Sequence, residues 1–169
     1  NPFHTAIYTV GAKKTFSIIK KYGIFAELLF EWNNFEMSQD FQLQWKYMGY
    51  YSHSLISQGY TQNGQIIGAG SGYFGNSQYL GVKLYYKKGF INIFAHRNAP
   101  DNNYIYNMSV NAGDNFSQLS KDYWARFKTH FSVGIDTSYF LTSHFLIDTA
   151  FVYTHTLYNT YKVGESFIS

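Results

Sequence analysis

Residues 123–139 read Tyr123-Trp124-Ala125-Arg126-Phe127-Lys128-Thr129-His130-Phe131-Ser132-Val133-Gly134-Ile135-Asp136-Thr137-Ser138-Tyr139. Tyr123, Ala125, Phe127, Phe131, Val133, Ile135 and Tyr139 recur at every second position, joined by Thr129 and Thr137. Between them stand Trp124, Arg126, Lys128, His130, Ser132, Gly134, Asp136 and Ser138. A period of two belongs to an extended chain, whose successive side chains point to opposite sides. An ordinary strand holds about 5–6 residues, and this alternation runs far longer. Aromatic residues close the apolar series at both ends and aliphatic ones fill its middle.

A long strand with one apolar face and aromatic ends is the pattern of a transmembrane β-barrel, which presents an apolar band to lipid between two aromatic girdles. Composition agrees. Among the 169 residues, aromatics make up 21% and charged residues only 14%, against roughly 25% charged in an average soluble domain. Yet the mean hydropathy is −0.26, as expected when apolar and polar faces alternate. The same composition also suits a soluble β-sandwich lectin. No apolar run approaches the ~20 residues of a membrane-spanning helix. Cysteine is absent, which excludes disulfides and thiolate metal sites. The net charge is +3. The lysines come in pairs at turns (Lys13-Lys14, Lys20-Lys21, Lys87-Lys88) rather than as a stripe, which argues against a nucleic-acid partner.

The rest of the chain follows the same reading. Ala6 to Ile19 alternates, with Lys14 as an intruder on its apolar face. Lys20-Lys21-Tyr22-Gly23 then reads as a tight turn, and Ile24, Ala26, Leu28, Phe30 and Trp32 continue as an apolar face opposite Glu27 and Glu31. A strand is expected over 41–47. Residues 81–87 and 90–96 form a hairpin about Lys87-Lys88-Gly89. Another strand is expected over 104–112 inside a polar stretch. After 123–139 comes a short turn around Leu141-Thr142-Ser143, then a strand from Phe145 to about Tyr158. This predicts one all-β domain over 1–169: an antiparallel outer-membrane β-barrel with roughly eight strands here, either part of a larger barrel or, since eight is the smallest number that closes alone, a small complete one. Phe127, Phe131, Val133, Ile135, Phe145, Ile147 and Phe151 are expected to face lipid. Arg126, Lys128, His130, Asp136 and Asp148 are expected to face inward.

No enzyme signature accompanies the pattern. Glu27 and Glu31 are four residues apart on one strand face, ~13 Å at ~3.3 Å per residue, whereas glycosidase carboxylates stand roughly 5–9.5 Å apart. The six histidines show no metal-ligand spacing, and Gly70-Ser71-Gly72 is not a nucleophile elbow. Neither catalytic residues, nor a metal, nor a cofactor is expected.

Gln58-Gly59-Tyr60-Thr61-Gln62-Asn63-Gly64-Gln65-Ile66-Ile67-Gly68, followed by Gly70-Ser71-Gly72 and Ser77-Gln78-Tyr79-Leu80, resembles a signature of the capsule assembly Wzi family. Phe25-Ala26-Glu27 is similar to that family's aromatic-Ala-Glu strand. The resemblance implies the C-terminal portion of a longer barrel in the bacterial outer membrane, bound to its lipid. It implies non-catalytic attachment of capsular or other surface polysaccharide, with other outer-membrane proteins as neighbours. A porin-type passive diffusion channel is the alternative on the same architecture. The expected glycan contacts are His53, Tyr60, Gln62 and Gly64, with Arg97, placed just past a strand end, as an anchor for acidic sugars. Tyr50, Tyr51, Trp32 and Trp45 are further aromatics able to stack on sugar rings.

Overall fold

A computed structural model of the chain describes residues 6–36, 55, 61–62, 65–66, 75–100, 128–158 and 166–168. These form an antiparallel sheet of six long strands: β1 (Tyr8–Ile19), β2 (Ile24–Asn34), β5 (Asn76–Tyr86), β6 (Gly89–Ala99), β7 (Thr129–Phe140) and β8 (Leu146–Leu157). A short seventh, β9 (Ser166–Ile168), pairs with the end of β8 through His155, Thr156 and Leu157. The order is β1-β2-β5-β6-β7-β8-β9, so the strands of this sheet follow one another in chain order. Two short strands, β3 (Thr61–Gln62) and β4 (Gln65–Ile66), pair only with each other.

Each long strand holds 11 or 12 residues. At ~3.3 Å per residue and a tilt of ~40°, that length rises through about 30 Å, the thickness of a bilayer's hydrocarbon core. The ladders run without slippage except for one irregularity between Ser17 and Ile19.

All three short connections lie at one end of the sheet. Lys20–Tyr22 form a single 3-10 turn closed by Gly23 in the left-handed conformation, φ 65°. Lys87 and Lys88 join β5 to β6. Between β7 and β8, the amides of Leu141 and Thr142 both donate to the Phe145 carbonyl. The connections from β2 to β5 and from β6 to β7 leave from the opposite end and are long. Gly89 sits where the β5–β6 turn meets β7. A Cβ there would lie 1.9 Å from the Ser138 carbonyl oxygen, so the close approach of these two backbones depends on glycine.

One expectation changes: among the described residues the sheet has six long strands, not eight. No ladder joins β1 to β8 or β9 among them, so this sheet is not closed. The expected strands at 41–47 and 104–112 lie outside the described residues. Within this sheet β2 pairs directly with β5, and β6 with β7. That also places the 141–145 turn with the other short ones. The long alternating stretch is strand from Thr129 onward; residues 123–127, Arg126 and Phe127 among them, lie outside the described residues.

Candidate functional site

Register converts alternation into two defined faces, because partners in an antiparallel ladder point to the same side. On one side stand Val10, Ala12 and Phe16 of β1 and Ala26, Leu28, Phe30 and Trp32 of β2. Leu80, Val82 and Leu84 of β5 and Ile91, Ile93 and Ala95 of β6 continue it. Phe131, Val133 and Ile135 of β7 and Ile147, Phe151 and Tyr153 of β8 complete it. The other side carries Glu27, Glu31, Lys13, Lys83, Tyr79, Asn92, His96, His130, Asp136 and Asp148. The expected separation of Phe131, Val133, Ile135, Ile147 and Phe151 from His130, Asp136 and Asp148 is therefore present, while Lys128 precedes β7.

Over the central strands β5, β6 and β7 the polarity of exposure is inverted relative to a soluble fold. Ile93 is 59% and Val133 55% exposed, whereas Asn33 and Ser77 are each 5% exposed. Along β7 the apolar members are the exposed ones and the polar members are half-buried. Among the described residues, Phe35 and Ala99 are the only buried hydrophobic side chains.

The polar face is cross-linked laterally, strand to strand. Lys13 meets Glu27 at 3.0 Å. Thr9 donates to Asn33 at 2.9 Å, and Asn33 donates to Glu31 at 2.6 Å and to Ser77 at 3.3 Å. Asn92 donates to Asp136 at 2.7 Å and to the Tyr79 hydroxyl at 3.3 Å. His130 and Thr156 are 2.8 Å apart, Ser132 and Thr154 3.0 Å, and Ser138 donates to Asp148. The Lys83 ammonium lies 3.5 Å from the centre of the Phe90 ring, a cation–π contact. Charges here are thus matched by neighbours within the wall. Among the described residues no three His, Asp or Glu side chains could hold one metal ion.

At the middle of this face, glycine and aromatic residues interlock. Phe94 of β6 stands between Gly81 of β5 and Gly134 of β7. Its ring covers Gly134, the Tyr79 ring covers Gly81, and the two rings stack with centroids 5.6 Å apart. This lays two rings flat on a polar wall. The Tyr79-x-Gly81 and Asn92-x-Phe94-x-His96 alternation carried a trace of it, but which glycine meets which ring depends on register.

The expected glycan residues divide. His53, Tyr60 and Gly64 lie outside the described residues. Gln62 is exposed in β3, opposite Gln65. Arg97 is not past a strand end: β6 continues to Ala99, so Arg97 is a strand residue on the apolar side. Its guanidinium donates to Asn76 and, at 2.9 Å, to Gln78 of β5. No ladder brings Gln62 and Arg97 together. Trp32, Gln78, Arg97, Phe131 and His155 form one row across the sheet, at the long-connection end of the apolar band.

Compared with protein-family models, curated proteins and solved structures, the chain matches none. The resemblance to the Wzi family accordingly rests on the sequence segments 25–27, 58–68, 70–72 and 77–80 alone.

Proposed function

We propose that this sheet is part of the wall of a bacterial outer-membrane β-barrel, and that its long-connection end attaches capsular or other surface polysaccharide without catalysis. The observation that carries the barrel reading is the inverted polarity of β5, β6 and β7: their apolar face is the exposed one, and their hydrogen-bonded polar face is the more enclosed. A contiguous exposed apolar surface of this kind needs an apolar partner. A soluble β-sandwich would cover that face with a second sheet, and nothing does so among the described residues. Strands of 11–12 residues with short turns at one end and long connections at the other fit the asymmetry of such barrels. Six long strands are fewer than the eight of the smallest barrels, and lipid cannot satisfy an open edge. Further strands then complete the wall.

Attachment rests on the Wzi-like segment 58–68, which falls in the long connection between β2 and β5. Aromatic and amide side chains bind sugars by many weak contacts, summed along a repeating polymer. The test is a Tyr60→Ala/Gln62→Ala variant in a capsulated host. Insertion is read from heat-modifiable electrophoretic mobility, and attachment from polysaccharide released into the medium. Normal insertion with shed polysaccharide is expected. Normal insertion with a fully retained coat would sink the attachment role, and free ion conduction in a planar bilayer would put a diffusion channel in its place.

A further inference from the structure

The charged residues of the six long strands are not shared evenly between the two faces. All four strand carboxylates, Glu27, Glu31, Asp136 and Asp148, lie on the polar face, where Lys13 and Lys83 accompany them. The apolar face carries no strand carboxylate, and its cations are Lys14 and Arg97. Lys14 stands in the middle of the band, on the edge strand. Arg97 stands at its long-connection rim, in the row of Trp32 and Phe131. Its guanidinium is oriented by two amides of the neighbouring strand, Asn76 and Gln78. Asn76 in turn donates to Glu36, just beyond β2, at 2.7 Å, which turns its carbonyl oxygen toward Arg97.

We propose that this rim binds the phosphate headgroup of a membrane lipid. The inference rests on the barrel reading above. A cation fixed at the boundary of a lipid-facing apolar band sits at headgroup depth, beside the aromatic ring that marks the interface. Guanidinium is suited to phosphate, because its planar set of donors matches phosphate oxygens and remains charged. The amides at Asn76 and Gln78 hold one edge of it on the wall. The Glu36 carboxylate behind Asn76 opposes an anion and therefore limits the affinity of the site.

The full-length protein, with every tryptophan except Trp32 changed to Phe so that Trp32 reports alone, is reconstituted into vesicles of neutral zwitterionic lipid. A second set contains added lipid with a phosphomonoester headgroup. Insertion is scored first, by protease protection. Trp32 emission and thermal melting are then followed against the fraction of phosphorylated lipid. The expected result is insertion in both vesicles, with a response saturating in the phosphorylated lipid. Arg97→Gln should need about fivefold more of it, the effect of one cation near a charged surface. Glu36→Gln should need less, and Lys14→Gln the same as the parent.

Insertion with no difference between Arg97→Gln and the parent overturns the proposal and leaves the barrel reading standing. An equal response to soluble inorganic phosphate also overturns it, since the site would then be a plain anion site. Absence of insertion in every vesicle overturns both. If Arg97→Gln itself fails to insert, Glu36→Gln decides: a response unchanged from the parent overturns the proposal.

Discussion

The ring of Phe94 lies across the backbone of Gly134 on the neighbouring strand, so close that a Cβ on that glycine would fall 2.5 Å from Phe94 Cζ. The two are direct partners in the β6–β7 ladder. A glycine in a strand interior ordinarily weakens it, and here the aromatic ring fills the space the side chain would occupy. Gly134→Val should therefore displace the ring, break its stacking on Tyr79 and cost about 1–3 kcal/mol, as overpacking does. Urea unfolding in detergent, followed by loss of the folded electrophoretic form, measures it. Equal midpoints for variant and parent would show that the ring contributes no shape constraint.

The turn glycines should separate into two classes. Gly89 abuts the Ser138 carbonyl, whereas a Cβ on Gly23 meets nothing within 4 Å. Gly89→Ala must move backbone at the β6–β7 junction and should cost about 1–3 kcal/mol. Gly23→Ala carries only the left-handed penalty, about 1 kcal/mol. The same unfolding experiment ranks them, and a Gly23 variant less stable than the Gly89 one would contradict the geometry.

Arginine scanning should follow the rows. Ile135 shares its row with Ile93, Val82 and Phe151 in the middle of the apolar band, while Phe131 shares the rim row with Arg97. Ile135→Arg should cost ~2–4 kcal/mol and Phe131→Arg only ~0–1 kcal/mol if lipid covers this face. Ser132→Arg, on the polar face, should be tolerated. A Phe131 variant as damaging as the Ile135 one would displace the membrane boundary from the Arg97 row.

On the polar face, burial should decide which pair matters. The Lys13 side chain is 61% exposed beside Glu27, so Lys13→Gln should leave the unfolding midpoint essentially unchanged, because solvent screens exposed ion pairs. Asn92 bridges Asp136 and Tyr79 in a partly buried setting. Asn92→Ala takes that amide donor from the Asp136 carboxylate and should cost about 1–3 kcal/mol. A double-mutant cycle between Asn92 and Asp136 gives the coupling, and a value near zero would refute the bridge.

Alternation was legible in the sequence because it is local: each residue's side of a strand follows from its neighbours alone. Residues 129–140 therefore showed their two faces, as did the hairpins about Gly23 and Gly89, whose turn residues adjoin clean alternating runs. The number of long strands in one sheet was not legible. The segments 41–47 and 104–112 alternate as well as the six long strands do, and only tertiary pairing shows that β2 neighbours β5 and that β6 neighbours β7. The position of Arg97 was misread for the same reason. A polar stretch after His96 reads as a loop, but the partners Asn76, Ser77 and Gln78 extend the ladder to Ala99. The row that joins Trp32, Arg97 and Phe131, and the contact between Phe94 and Gly134, are products of register. Register is set by hydrogen bonds between segments far apart in the chain, so the sequence alone determined which side each strand residue faces, and the tertiary structure alone decided at what height each one stands and beside whom.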